Sequence, residues 1–91
     1  MLTEKLTQDL KVAMKAGEVQ KRDTIRGLQS AIKNKQIEKM AELTEEEQLV
    51  AVAKEIKNRK KAIELFKQGG RQDLIDSYEA EIKILEPYAQ N

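Results

Sequence analysis

Residues 54–74 read KEIKNRKKAIELFKQGGRQDL. Ile56, Arg59, Ile63 and Phe66 alternate by three and four, the spacing of one helix face. Leu49 and Val52 continue that seam upstream. A heptad-like seam predicts a helix packed nearly parallel or antiparallel to another. Gly69-Gly70 stops it, and a second helix starts at once with Arg71 and Asp73. One segment thus combines a packing face, a cationic face and a sharp helix break.

Two more helices lie upstream, which makes four in all. The first is expected over about 3–16, with Thr3 as N-cap and Gly17 as the residue that ends it. Its apolar stripe is Leu2, Leu6, Leu10, Ala13 and Met14. The second covers about 19–40, with Ile25, Leu28, Ala31, Ile32 and Ile37. The third, about 44–68, opens with Thr44-Glu45-Glu46-Glu47, a capping box whose acids also suit the positive helix end. The fourth covers about 71–86, through Leu74, Tyr78, Ile82 and Leu85, and Pro87 ends it. No strand pattern interrupts them. Gly27 inside the second helix costs roughly 1 kcal/mol relative to alanine, and a close helix–helix approach is the expected reason. The fold class is therefore all-α: four helices, with the second and third as a long antiparallel hairpin. Residues 88–91 are expected to fray.

Ninety-one residues make one domain, 1–91. A chain this short buries roughly 60 to 65% of its unfolded surface. It contains no histidine and no cysteine. Disulfides, thiolate nucleophiles and the usual zinc sites are thereby excluded, as is any side chain with an ordinary pKa near 7. The N-terminus MLTEKLTQDL mixes charges of both signs and does not read as a signal peptide. No window approaches the ~20 apolar residues of a membrane span. Neither a metal nor a cofactor is expected.

Net charge is only +1, but 36% of the residues are charged and the signs are segregated. Residues 1–41 and 48–71 are basic; 42–47 and 72–91 are acidic. Such separation bears on partners rather than on fold. Lys54, Lys57 and Lys61 share one side of the third helix, and Lys60, Lys67 and Arg71 extend the positive region. Three readings stay open. The face is simply solvated, with Glu55–Arg59 and Lys60–Glu64 as ordinary i, i+4 pairs; or it meets a polyanion; or it meets a protein. The aromatic residues are Phe66, Tyr78 and Tyr88. Two of them sit on core stripes, which disfavours a base-stacking platform and leaves structured RNA as the better nucleic-acid candidate.

Arg59 stands where the seam calls for an apolar residue, so it needs a partner or an exit to water. A structural ion pair is expected, with Asp73, Asp76, Glu79 or Glu81 as partner. The carboxylate pairs Glu79/Glu81 and Asp73/Asp76 have no histidine to work with. Gly69-Gly70 follows a helix, not a strand, and lacks the rest of a phosphate loop. No catalytic residue stands out.

Four ordered blocks carry a family resemblance: AIKNKQIE at 31–38, EIKNRKKAI at 55–63, GRQDL at 70–74 and EAEIKILEPY at 79–88. Together they resemble the N-terminal helical part of YqeY-like proteins. That family shares the GatB/YqeY motif with the tail of one component of the glutamyl/aspartyl-tRNA amidotransferase. The resemblance implies an all-helical bacterial protein of the cytoplasm. It also implies an association with tRNA-dependent amidation, a carbon–nitrogen ligation with glutamine as nitrogen donor. The catalytic centres of that enzyme lie in other domains and subunits, while the tail-like module engages tRNA. The family continues past the position of Tyr88 with a further helical domain, which is expected to be absent here. The resulting expectation is a non-catalytic module with tRNA or an amidotransferase complex as partner, contacted through its basic helices. The alternative is a protein-interaction or oligomerisation bundle without RNA affinity, its partner a helical protein. A self-sufficient amidotransferase would need an activated nucleophile, and none is visible.

Overall fold

Three of the helix ends close with the same backbone device. After α1 (Leu2–Ala16), Gly17 takes φ 70° and the amide of Glu18 reaches back to the carbonyl of Ala13 at 2.9 Å. After α3 (Glu45–Gln68), Gly70 takes φ 68° and the amide of Arg71 reaches Phe66 O at 3.0 Å. These are left-handed turns in which a later amide satisfies an orphan helix carbonyl. α2 (Val19–Lys39) ends the same way without glycine. Met40 adopts φ 61°, and the amide of Ala41 donates to Gln36 O at 3.2 Å.

The computed structural model describes residues 2–89. α4 (Gln72–Leu85) completes the set, followed by a 3-10 turn over Glu86–Ala89. Among the described residues there is no strand, and the protein is an all-α four-helix domain. The capping box forms as the sequence predicts. Thr44 Oγ1 accepts from the amide of Glu47 at 3.2 Å, and Glu47 Oε1 accepts from the amide of Thr44 at 2.9 Å. Thr3, expected as a cap, lies inside the first turn of α1, where its carbonyl accepts from the hydroxyl of Thr7. The helix begins one residue earlier, so Thr3 cannot hold the non-helical backbone that a cap requires.

α2 and α3 are the two long elements, joined by residues 40–44. Packing is closest between α1 and α2 and between α3 and α4, and α4 also lies against α2. The main core gathers Leu6, Ile25, Leu28, Ile32, Leu43, Ala51, Val52, Leu85 and Tyr88. A smaller core, Ile63, Ile75 and Ile82, sits between α3 and α4 with Phe66 and Tyr78 against it. Phe66 and Tyr78 meet edge to face, with ring centroids 5.1 Å apart. Ile56 touches both cores.

Several expectations need correcting. Tyr88 does not fray. It is only 4% exposed, and its hydroxyl donates to Asp9 Oδ2 at 2.5 Å. Lys5 Nζ lies 5.7 Å from its ring centroid. A buried aromatic with its hydroxyl bonded holds the 3-10 turn down, which fraying would undo. The rest of the expected fraying, at 90–91, lies outside the described residues. Met14 and Ile37 belong to no core; both are exposed. Gly27 is exposed as well, and a Cβ built on it meets nothing within 4 Å. No close helix approach accounts for it. The buried polar residues Thr24 and Gln48 were not anticipated. Gln48 Nε2 donates to Leu43 O at 3.4 Å, while its Oε1 is buried without a partner.

Candidate binding surface

The side of α3 opposite its seam carries Lys54, Lys57 and Lys61, all exposed. Their spacing puts them on one stripe. None makes an ion pair among the described residues. Val50 precedes them and Leu65 follows at the same helical spacing, 68% and 66% exposed. The lysines are thus bracketed by two bare aliphatic side chains.

Lys60 and Lys67 fall elsewhere. They lie on the flank toward α4 and line a cleft of about 290 Å³ with Ile63, Ile82 and Lys83. Glu79 and Glu86 line the same cleft. Glu64, expected opposite Lys60, instead lies 3.4 Å from Lys67 Nζ. Both spacings bring a glutamate and a lysine to neighbouring positions on a helix, and three residues suffices here. Lys83 adds a cation to this flank that was not among the sequence candidates. Its signal was available, since it lies one turn beyond Glu79 on α4.

Arg71 sits beyond the end of α3. Its Nε and Nη2 donate to the two carboxylate oxygens of Asp73, at 3.2 and 3.1 Å. Asp73 raises the Arg71 pKa, and Arg71 in turn holds the Asp73 carboxyl below its usual value. Both groups remain in solvent, so the pair is a local brace for the start of α4. At the other end of α3, Lys39 Nζ and Glu47 Oε1 are 2.5 Å apart. Lys39 first, then the amide of Thr44, lower the Glu47 pKa. Lys54 lines the neighbouring α2–α3 groove with Lys35, Leu43 and Ala51. The six cations of the predicted surface therefore divide among an outer stripe, the α4 flank and the α3–α4 turn.

Arg59 points into the bundle. Its side chain is 15% exposed. Nε donates to Glu81 Oε1 at 3.0 Å, and Nη1 donates to Glu55 O and Oε1 at 3.0 and 3.2 Å. One guanidinium thus links two turns of α3 to α4. Beside it opens a polar cleft that also takes in Gln20, Asp23, Thr24 and Ser77. Gln20 Nε2 donates to both the carbonyl and the hydroxyl of Ser77, at 3.0 and 3.1 Å. Among the described residues no group of three or more side chains is placed to hold a metal. Among the described residues no helix is long and apolar enough to cross a membrane.

The family described as Yqey-like protein matches residues 3–91. The chain belongs to this family. Curated relatives include altered inheritance of mitochondria protein 41, mitochondrial, of Kluyveromyces lactis, 45% identical over 84 residues. That match covers 91% of this YqeY-like chain and 45% of the relative. The proteins of the same name from Lachancea thermotolerans and Vanderwaltozyma polyspora are 42% and 37% identical over the same length, with the same coverage. The chain spans about half the length of the curated relatives it matches.

These relatives overturn the expectation of a cytoplasmic protein, since they are named as mitochondrial. They also extend the family beyond the bacterial proteins that the resemblance implied. The physical reason for the miss is plain. Absent cysteines fit a reducing compartment without saying which one, and a helical surface of mixed charge suits any aqueous compartment.

Proposed function

We propose that this YqeY-like domain is a non-catalytic binding module that contacts tRNA through the outer stripe of α3. The observation that carries the reading is the set of three exposed ammonium groups at Lys54, Lys57 and Lys61, free of ion pairs among the described residues. Such groups can replace condensed counterions along a phosphate backbone. Lys60 lies to the side and adds to the local field, while Lys67 and Arg71 are offset by Glu64 and Asp73. The scarcity of exposed aromatic rings favours recognition of folded RNA by shape and phosphate. The family resemblance supplies the choice of tRNA and an accessory place beside tRNA-dependent amidation, with the chemistry done by other subunits. The relatives' names favour mitochondria as the place of work.

The test is a tRNA titration at two salt concentrations. Three phosphate contacts predict roughly a 40-fold loss of affinity between about 50 and 200 mM salt. Changing Lys54, Lys57 and Lys61 together to Glu should abolish binding and leave helicity unchanged. Absence of binding at about 50 mM salt overturns the proposal.

A second reading is favoured by one observation. Val50 and Leu65 bracket the lysines with exposed aliphatic surface, which suits a helical protein partner better than RNA. A complex or oligomer that survives high salt and is lost on Val50→Lys with Leu65→Lys would select this reading.

A further inference from the structure

We propose that the groove between α2 and α3 is one half of a symmetric dimer interface, occupied by the same stretch of α3 from a second copy of this chain. The groove, about 630 Å³, is lined by the buried Leu43 and Ala51 and by Val50, which is 68% exposed. The acidic segment 42–47 borders it. That segment has no part in the RNA reading, since like charges repel a polyanion.

The charges on the groove select the occupant. Three lysines and three glutamates line it, so it has no net charge. That balance disfavours a strongly acidic or strongly basic partner and favours one that carries both signs. Lys35 is paired with Glu38, and Lys39 with Glu47. Glu46 and Lys54 are left exposed, without an ion pair among the described residues.

Glu46, Val50 and Lys54 stand four residues apart, on one exposed stripe of α3. The stripe is its own complement. Turned about a two-fold axis through Val50, an antiparallel α3 sets Glu46 against Lys54 of the second copy and Lys54 against its Glu46. The two valines then meet on the axis. Ala53 beside them is small and exposed, so the helices can approach to about 8 to 10 Å. Further out, Lys57 faces the acidic corner at Glu42 of the second copy. The proposal deepens the reading of a helical protein partner and rests on it. It also gives Lys54 a second use, for which tRNA would compete.

The test uses the native chain, free of RNA. Sedimentation equilibrium should show monomer and dimer exchanging between about 10 µM and 1 mM chain. Glu46→Lys or Lys54→Glu should each weaken the dimer about tenfold or more, because symmetry makes each change act at two contacts. The two changes together exchange the signs and should restore it. The chain has no cysteine, so the thiol of Val50→Cys has only its copy on another chain as a protein partner. Oxidised glutathione should convert that variant to a covalent dimer. Leu65→Cys places the thiol roughly 22 Å from the axis along α3 and should not cross-link. A chain that stays monomeric up to about 1 mM overturns the proposal, while a complex with a different helical protein would still satisfy the wider reading. A dimer that the double variant fails to restore, or that Leu65→Cys cross-links as readily as Val50→Cys, overturns this interface and moves the wider reading to another face.

Discussion

The hydroxyl of Tyr88 donates to the carboxylate of Asp9, 79 residues earlier in the chain, at 2.5 Å. This bond joins the 3-10 turn to α1, two elements from opposite ends of the described chain. Tyr88→Phe should cost about 1 to 2 kcal/mol, because a partly buried carboxylate loses its donor. Tyr88→Ala should cost about 3 to 5 kcal/mol, because the main core also loses a ring. Urea unfolding of the two variants measures both. Equal costs would mean that the ring contributes nothing, and no cost for Tyr88→Phe would mean that the hydroxyl contributes nothing.

The same tyrosine makes stability depend on alkaline pH. Burial first, then the Asp9 carboxylate, raise its pKa well above the ordinary value of 10.0. The folded state therefore keeps a proton that the unfolded state gives up. The stabilisation is fully present below pH 10.0 and is lost as pH climbs toward the raised folded value. Melting measured from pH 8 upward should fall more steeply for the native chain than for Tyr88→Phe. Parallel curves would remove Tyr88 from the account.

Arg59 is held between Glu55 and Glu81 with little solvent around it. Arg59→Ala strands both carboxylates and should cost about 2 to 4 kcal/mol. Arg59→Met keeps the packing volume of the seam but strands the same carboxylates, so it should recover only the packing part of that loss, about 1 kcal/mol. Restoring stability by adding Glu81→Gln to Arg59→Ala would identify the stranded charge as the main penalty. If Arg59→Ala melts like the native protein, the ion pair has no structural role.

Gly27 and Met40 mark two positions where the present residue is not the most stable one. Gly27 lies within α2 with open space where a Cβ would go, so Gly27→Ala should stabilise by about 1 kcal/mol. Met40 holds a left-handed conformation while 91% exposed, so its side chain offsets little of the strain. Met40→Gly should stabilise by about 1 kcal/mol, since glycine takes this conformation without the Cβ penalty. Thermal melts settle both, and a lower melting point for either variant would contradict the geometry.

Local rules carried most of the fold. Helix number follows from apolar periodicity, and the ends at Gly17 and Gly70 follow from backbone freedom. The start at Thr44 follows from a four-residue capping motif. All of these are near-neighbour effects. What escaped was long-range or spatially selective. Ile37 continues the α2 stripe in sequence but ends up exposed, and periodicity alone does not say how far along a helix its partners extend. Tyr88 follows a proline near the chain end and reads as frayed, because its partner Asp9 is remote in sequence. At the candidate surface, spacing identified the outer lysine stripe. It could not show that Lys60 and Lys67 turn toward α4, or that α2 and α4 assemble a cleft around Arg59.

The core is divided, and Ile56 alone joins its two parts among the residues packed on either. The smaller part, around Ile63, Ile75 and Ile82, is made wholly by α3 and α4. It can lose its order while the larger part stays intact, a sub-global opening with its own free energy. Amides of α3 beyond Arg59 and of the first turns of α4 should then exchange with deuterium together, ahead of those around Leu28 and Val52. The half of α3 that carries Lys61, Leu65 and Lys67 would breathe on a timescale separate from the rest of the molecule, so a partner gripping that half would slow its exchange without touching the larger core.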